Sequence, residues 1–415
     1  MGCGDLSPAA IIVDQYGNIV VSASTVDAFG RLRVSNPQTL FDSKQVFDNG
    51  SLDFLTSLAS GGTAVWVQAR ASTILTVTPA VGSQAVRQSK RYFNYQPGKS
   101  TQVIMTFVPN AQDPTVRRRT GLIDPNNGVC FQQSGAGLAF VVRSSVSGAP
   151  VDTVIPRSAW NRDKLDGTGP RGVVFDSTMI QVFMTDMEWL GGGPVRFYFV
   201  TSAGITLCHV ENNENVLPSV YMSTPNLPVR WEIERVAGGG AGDANLEAIC
   251  CTVVSEGGQQ EIGGVFGIDR EITPISAPNT HLVPVLAIRL KAAQIRRTVK
   301  PLQFQIFSPA AADSSLFRLL INPTRGVGTA PSWLSAHAQS AVEYDVTSTQ
   351  VITGGQILFP GYAQGRTIVL AQGLPTQFVL GAQDMGGTIP DELVIAARAT
   401  TGSNNVFGAI SWVEL

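Results

Sequence analysis

The stretch MIQVFMTDMEWLGGGPVRFYFVTSAGITLCHVEN, residues 179–212, decides the fold. Within it VRFYFV alternates: in an extended chain Val195, Phe197 and Phe199 share one face, and Arg196, Tyr198 and Val200 the other. The three runs MIQVFMTDMEWL, VRFYFVTSAG and ITLCHVEN are rich in Val, Ile, Thr, Phe and Trp, residues that fit a pleated, half-buried surface. No helical period intervenes between them.

Outward from this stretch the same texture holds. STILTVTPAV, STQVIMTFV, VCFQQ, LAFVVRSS, VRWEIERV and AICCTVVSE read as strands, and DPNNG, SGAG, SVSGAP and GGGAG as the turns between them. Strands at this spacing predict an all-β chain built on a large antiparallel β-sandwich of lectin or jelly-roll type over residues 46–272. Residues 1–45 read as an N-terminal arm or hairpin, with YGN turning between the apolar runs of IIVDQYGNIVVSAS (11–24). TPISAPNTHLVP, 273–284, carries three prolines and reads as a linker. Residues 285–415 then form a C-terminal jelly-roll-like β domain, whose last two runs, LVIAARAT and VFGAISWVEL, are joined by a hairpin turn at TGSNN (401–405) and pin the C-terminus in a sheet. LAIRLKAAQIRR (286–297) is read as strand rather than helix. Short helices are expected only at SWLSAHAQ (332–339) and PDEL (390–393).

Length and composition agree with a multi-domain structural protein. A chain of 415 residues exceeds the roughly 250–300 at which single cores stop growing. It is 44% hydrophobic and only 14% charged, against about 25% charged in ordinary soluble domains, so much of its surface is expected to be covered by neighbouring subunits, the alternative being a soluble surface of Ser, Thr, Asn and Gln. A net charge of −2 gives no basic stripe for nucleic acid. Six of the 29 basic residues are lysine and the rest arginine, the cation suited to interfaces. No apolar run approaches the roughly 18 residues of a membrane span, and MGCGDLSPAA lacks the apolar core of a signal peptide and fits an acylation motif poorly. Cys3, Cys130, Cys208, Cys250 and Cys251 are odd in number and have no CxxC spacing, which predicts free buried thiols and assembly in a reducing cytoplasm.

Catalytic chemistry is thin. His209, His281 and His337 stand far apart, and GxSxG and HExxH are absent. GGGAG (238–242) lacks what a phosphate cradle needs and reads as a hairpin tip. Asp186 with Glu188, and Glu232 with Glu234, would share strand faces as glycan-cleaving pairs do, but such spacings are common, and Trp189 and Trp231 beside them read as core or rim aromatics. DPNNG (124–128) offers oxygens to calcium or, with no metal, forms a type I turn. No catalytic, cofactor-binding or metal-ligating residue is therefore assigned, no cofactor is expected, and the chain is read as not an enzyme.

DAFGRLRVSNPQTLFDSKQ (27–45) resembles the N-terminal signature of a family of β-rich structural proteins in the virions of tailed bacteriophages. ASTILTV (71–77), QSKRYFNYQPGKS (88–100), RRRTGLIDPNNGVCF (117–131), VVRSSVSGAPVDTVIPRSAWNRDKLDGTGP (141–170), MEWLGGGPVRFYFV (187–200) and NVLPSVYMSTPNLPVRWEIE (215–234) look like the same family. The resemblance spans roughly residues 27–235 and implies a homo-oligomeric virion protein, a tail sheath or tail appendage component with a part in adsorption. Capsid decoration and a lectin-like module gripping host glycan or receptor are the alternatives. On this reading the protein is made and assembled in the host cytoplasm, resides in the virion, and partners other virion proteins. Tyr92, Phe93 and Tyr95 are then interface anchors or core rings. Arg162 and Arg171, in the loop WNRDKLDGTGPRG, clamp a neighbouring subunit, or the loop binds a ligand through Trp160 and Asp166. Arg117, Arg118 and Arg119 read as a solvated or salt-bridged strand edge.

Overall fold

The computed structural model describes Asp27 and residues 36–260, 263–365, 369–372 and 378–415; the expected turn at YGN and its flanking runs, 11–24, lie outside them. The chain divides into two compact units, residues 1–89 with 93–260, and residues 90–92 with 261–415. Both are antiparallel β-structures, and among the described residues the only helical turns are three 3₁₀ turns, Gln68–Arg70, Arg157–Ala159 and Ala292–Gln294.

The first unit runs β1 (Gln38–Ser43), β2 (Phe54–Ala59), β3 (Thr63–Val67), β4 (Ser72–Val77), β5 (Gln84–Ser89), β6 (Thr101–Val108), β7 (Val116–Ile123) and β8 (Gly128–Ser134). It continues with β9 (Gly137–Ser144), β10 (Val151–Pro156), β11 (Gln181–Met187), β12 (Val195–Thr201), β13 (Gly204–Glu211), β14 (Val229–Arg235) and β15 (Ala244–Ser255). One sheet has the order β13-β12-β11-β6-β15-β4-β3, with β1 also on β15; the other is β10-β9-β8-β7-β14-β5-β2. The alternation read in VRFYFV holds: Val195, Phe197 and Phe199 enter the core between the sheets. There Phe140 stacks on Phe197 with ring centroids 4.4 Å apart, and Phe131 meets Phe199 edge-on at 5.3 Å. Each such ring contributes about 1.5–3 kcal/mol by burial.

Two readings are corrected here. The arginine run is not an edge: β7 lies between β8 and β14, and Arg118 and Arg119 are buried and hydrogen-bonded to Gln133 and Gln132 at 2.8 Å. GGGAG is not a hairpin tip, because β14 and β15 belong to different sheets. Beneath it runs Arg235, fully buried, donating to Thr78 O (3.1 Å), Asp113 (3.0 Å), Thr115 (2.5 Å) and Gly242 O (2.6 Å).

The second unit runs β16 (Gly264–Asp269), β17 (Ile275–Pro278), β18 (Val283–Leu290), β19 (Val299–Phe307), β20 (Ser314–Ile321), β21 (Thr324–Arg325) and β22 (Leu334–Ser335). Then come β23 (Val342–Asp345), β24 (Ile352–Thr353), β25 (Gln356–Gln364), β26 (Val369–Gln372), β27 (Glu392–Ala399) and β28 (Ser403–Glu414). β16-β28-β19-β26, with β17 also on β28, faces β22-β23-β18-β27-β20-β25 across a core that includes Phe304, Phe317 and Trp412.

The unit therefore begins near residue 261, and the expected linker at 273–284 is inside it. Ile275–Pro278 pairs with β28, and Pro284 is accommodated by a register shift against β27. TGSNN is likewise no hairpin turn, since β27 and β28 lie in different sheets. The C-terminal strand is pinned as expected, with Leu415 N donating to Thr298 O at 2.9 Å. Neither expected helix forms: Leu334–Ser335 pairs with β23, and PDEL opens into β27. β-sheet pairing overrides the weak helical preference of these short segments.

Candidate functional site

Most residues singled out by sequence prove to be structural. Trp160 is buried, stacked on Phe140 at 4.2 Å, with its indole N–H donating to Ile155 O at 3.3 Å. The loop it opens is organised from within. The Asp163 carboxylate accepts from Leu165 N (2.9 Å) and Arg171 N (3.1 Å), and exposed Asp166 accepts from Thr168 N at 2.9 Å. The Arg171 guanidinium donates to Ala203 O at 2.7 Å, while Arg162 is exposed and its backbone N–H donates to Cys208 O at 3.1 Å. Phe93 packs on Phe41 in the core and Tyr95 sits edge-on to Trp189 at 6.1 Å, so these rings are core; Tyr92 is buried too.

Three of the four paired carboxylates are held in ion pairs. Asp186 is fully buried, bridged by the Arg196 guanidinium and the Ser100 hydroxyl, and Glu188 is equally buried beyond the end of β11. Glu232 meets Arg230 at 2.6 Å, and Glu234 is bound by Arg117. Burial disfavours the charged form of Glu232, but Arg230, Arg119 and Arg117 outweigh it and hold the carboxyl below its ordinary range. Asp152 behaves alike: burial pushes it up, the hydrogen bond from Arg143 and the charges of Arg119 and Arg143 pull it down, and it settles at about 2. A glycosidase acid needs a raised pKa, and neither carboxyl has one.

Thiols, histidines and the acidic turn are similarly engaged. Burial raises the Cys130 thiol to about 11 and lifts Cys208 and Cys251 as well, which suppresses nucleophilic thiolate. His209 shares a hydrogen bond with Glu211 at 3.0 Å, His281 bonds Thr280 at 2.9 Å, and His337 accepts from Gln339 N at 3.2 Å. In DPNNG the Asp124 carboxylate accepts from Asn126 N and Asn127 N, both at 2.7 Å, closing the turn on itself. Among the described residues no three His, Cys, Asp or Glu side chains cluster as a metal site.

What the structure adds is a groove of about 400 Å³ at the edge of the first sandwich, between the β9–β10 hairpin and residues 211–221, which follow edge strand β13. Its aliphatic lining is Val142, Val146, Val151, Val216, Leu217 and Val220; its polar lining includes Ser144, Thr153, Glu211, Asn212 and Tyr221. Hydrogen bonds anchor both ends of the second wall: Asn213 Nδ2 donates to Gly193 O at 2.8 Å, and Tyr221 N to Gly191 O at 3.0 Å. Gly191 has φ +85°, and a Cβ there would stand 2.9 Å from Val220, so glycine is what lets this wall close. Tyr221 is 3% exposed, and its hydroxyl is buried with no hydrogen-bond partner among the described residues. Sequence reading missed this site because its walls come from segments about sixty residues apart. The one local signal was NVLPSVY, an aliphatic loop where polar residues are usual.

No protein-family model matches the chain, and no curated protein matches it in sequence. Among solved structures, it is similar to the carbohydrate recognition domain of Emp47p (11% identity, TM-score 0.34, 53% of this chain and 97% of that one). It is also similar to a glycoside hydrolase family protein from Mycobacterium thermorestibile (12%, TM-score 0.35, 52% and 99%) and to the β-glucanase of Bacillus licheniformis (8%, TM-score 0.33, 51% and 96%).

Proposed function

We propose that this chain is a non-enzymatic structural component of a tailed-phage virion, in the tail rather than on the head, whose first sandwich holds a saccharide of the host surface. The edge groove carries the reading. It has the size of a small-ligand site, mixes aliphatic walls with hydroxyl and amide groups, and is lined by Tyr221, whose buried hydroxyl has no hydrogen-bond partner among the described residues. Three of the carboxylates that might have cleaved a glycan, Asp186, Glu232 and Glu234, are instead tied to arginines. The virion role is supported by the sequence blocks between residues 27 and 235.

Assembly with copies of itself and with other virion proteins fits the low charge content and the edge strand β25, which exposes Ile357, Phe359 and Tyr362. Screening the purified full chain on a bacterial glycan array, alongside immunogold microscopy of intact particles, tests both halves. Saccharide binding and gold on the tail are expected. A flat array removes the binding role, gold on the head moves the protein to capsid decoration, and bare particles remove the virion role.

A further inference from the structure

Resting on the saccharide reading, we infer that the groove selects an uncharged 2-acetamido sugar and rejects acidic ones. The charge pattern comes first. Among the described lining residues Glu211 is the only acidic one, and none is a lysine, arginine or histidine. A uronate or sialate carboxylate placed here would lose its water, find no cation, and stand beside a like charge.

The second observation is the kind of apolar surface offered. Plain hexoses present a C–H face that lies well against an exposed aromatic ring, yet the one aromatic lining residue, Tyr221, is almost wholly buried. The walls are instead branched aliphatic, with Val146, Val151 and Leu217 each about half exposed. An acetamido methyl is the part of a sugar that such walls cover, at roughly 25 cal/mol per Å² of apolar surface removed from water.

The polar groups complete the match. An acetamido N–H needs an acceptor. The Glu211 carboxylate shares Oε2 with His209 at 3.0 Å and has a second oxygen to offer. A ligand hydroxyl or carbonyl needs a donor, and the Tyr221 hydroxyl has no partner among the described residues. Burial raises that phenol's pKa, so it stays protonated and able to donate. Residues 214–220, which precede it along the same wall, are all exposed.

The test is calorimetric titration of the full chain with three probes: an N-acetylglucosamine trisaccharide, a glucose trisaccharide and a trigalacturonate. The acetamido probe should bind at least tenfold more tightly than glucose, with no heat from the uronate. Tyr221→Phe should weaken it about tenfold without lowering the thermal midpoint, because the lost hydroxyl bonds none of the described residues. Glu211→Gln, which keeps an acceptor and removes the charge, should admit the uronate. Equal binding of glucose and the acetamido sugar, or an unaltered Tyr221→Phe, overturns this inference and leaves the saccharide reading standing. Silence from all three probes together with a flat glycan array overturns both.

Discussion

Arg119 in β7 and Asp152 in β10 are joined at 2.6 Å although two strands, β8 and β9, stand between them. Strands lie about 4.8 Å apart, so three steps across a flat sheet are roughly 14 Å, and the register sets Arg119 level with Pro156, four residues along β10 from Asp152, which together is more than these two side chains span. The seven-stranded sheet must curve toward this face, away from the sandwich core. That concavity explains why residues outside the core, among them Cys130, Val141, Gln132 and Glu232, are nonetheless buried. It also explains why arginine dominates here: Arg143, donating to the same carboxylate at 2.7 and 3.1 Å, serves as a second fork.

Asp152→Ala strips the acidic partner from the buried Arg119 and the partly buried Arg143 at once. Removing one member of a buried pair costs about 3–5 kcal/mol, so the urea midpoint of the first unit should fall sharply. Asp152→Asn, which keeps an acceptor oxygen, should lose less. A change under about 1 kcal/mol for the alanine variant would mean that the bridge across β7–β10 contributes little to the curved sheet.

The same carboxyl sets an acid limit. Its folded pKa of about 2 lies below the ordinary value of 3.8, so its contribution is fully present above pH 3.8 and is lost as the pH falls through 2. The difference corresponds to about 2 kcal/mol, and Glu232, depressed in the same direction, adds to it. Stability measured by denaturant titration should therefore change little from pH 7 to 5 and fall between about pH 4 and 2. In Asp152→Asn that acid slope should be shallower; an identical slope would assign the acid sensitivity to other carboxylates.

Local pattern was legible and long-range pairing was not. Alternation in VRFYFV placed Phe197 and Phe199 in the core, because a strand's two faces are set by its own residues. Which strands meet depends on partners distant in sequence. Hence Arg118 and Arg119 read as edge residues when β7 is central, and TGSNN read as a hairpin when β27 and β28 part into opposite sheets. Prolines misled at 273–284 because a bulge beside Pro284 preserves the pairing. The groove was the least legible of all, since Val151 and Tyr221 become neighbours only once two sheet edges are in place.

Trp160 was the sequence's natural candidate for a sugar platform, and the structure makes it a core residue. Its indole is 2% exposed between β9 and the 160–172 loop. Trp160→Ala should cost about 3–5 kcal/mol, with any loss of saccharide binding tracking the unfolded fraction. Trp160→Phe, which keeps a ring against Phe140, should retain binding at temperatures where it remains folded. Binding lost in a fully folded Trp160→Phe variant would return this residue to the ligand site.

Gly240 offers a test of how tightly the crossover between the two sheets is built. A Cβ there would stand 2.1 Å from Arg235 Nη1. That nitrogen is no loose end, because the same guanidinium is held by Asp113, Thr115 and Gly242 and is fully buried. Gly240→Ala must therefore displace either the loop or the arginine, and overpacking of this kind costs about 1–3 kcal/mol. Gly242, two residues on, has open space where its Cβ would be, so Gly242→Ala should leave stability within about 0.5 kcal/mol of the parent. Equal melting temperatures for the two variants would mean that Arg235 has room to move and that the glycine-rich crossover is not fitted around it.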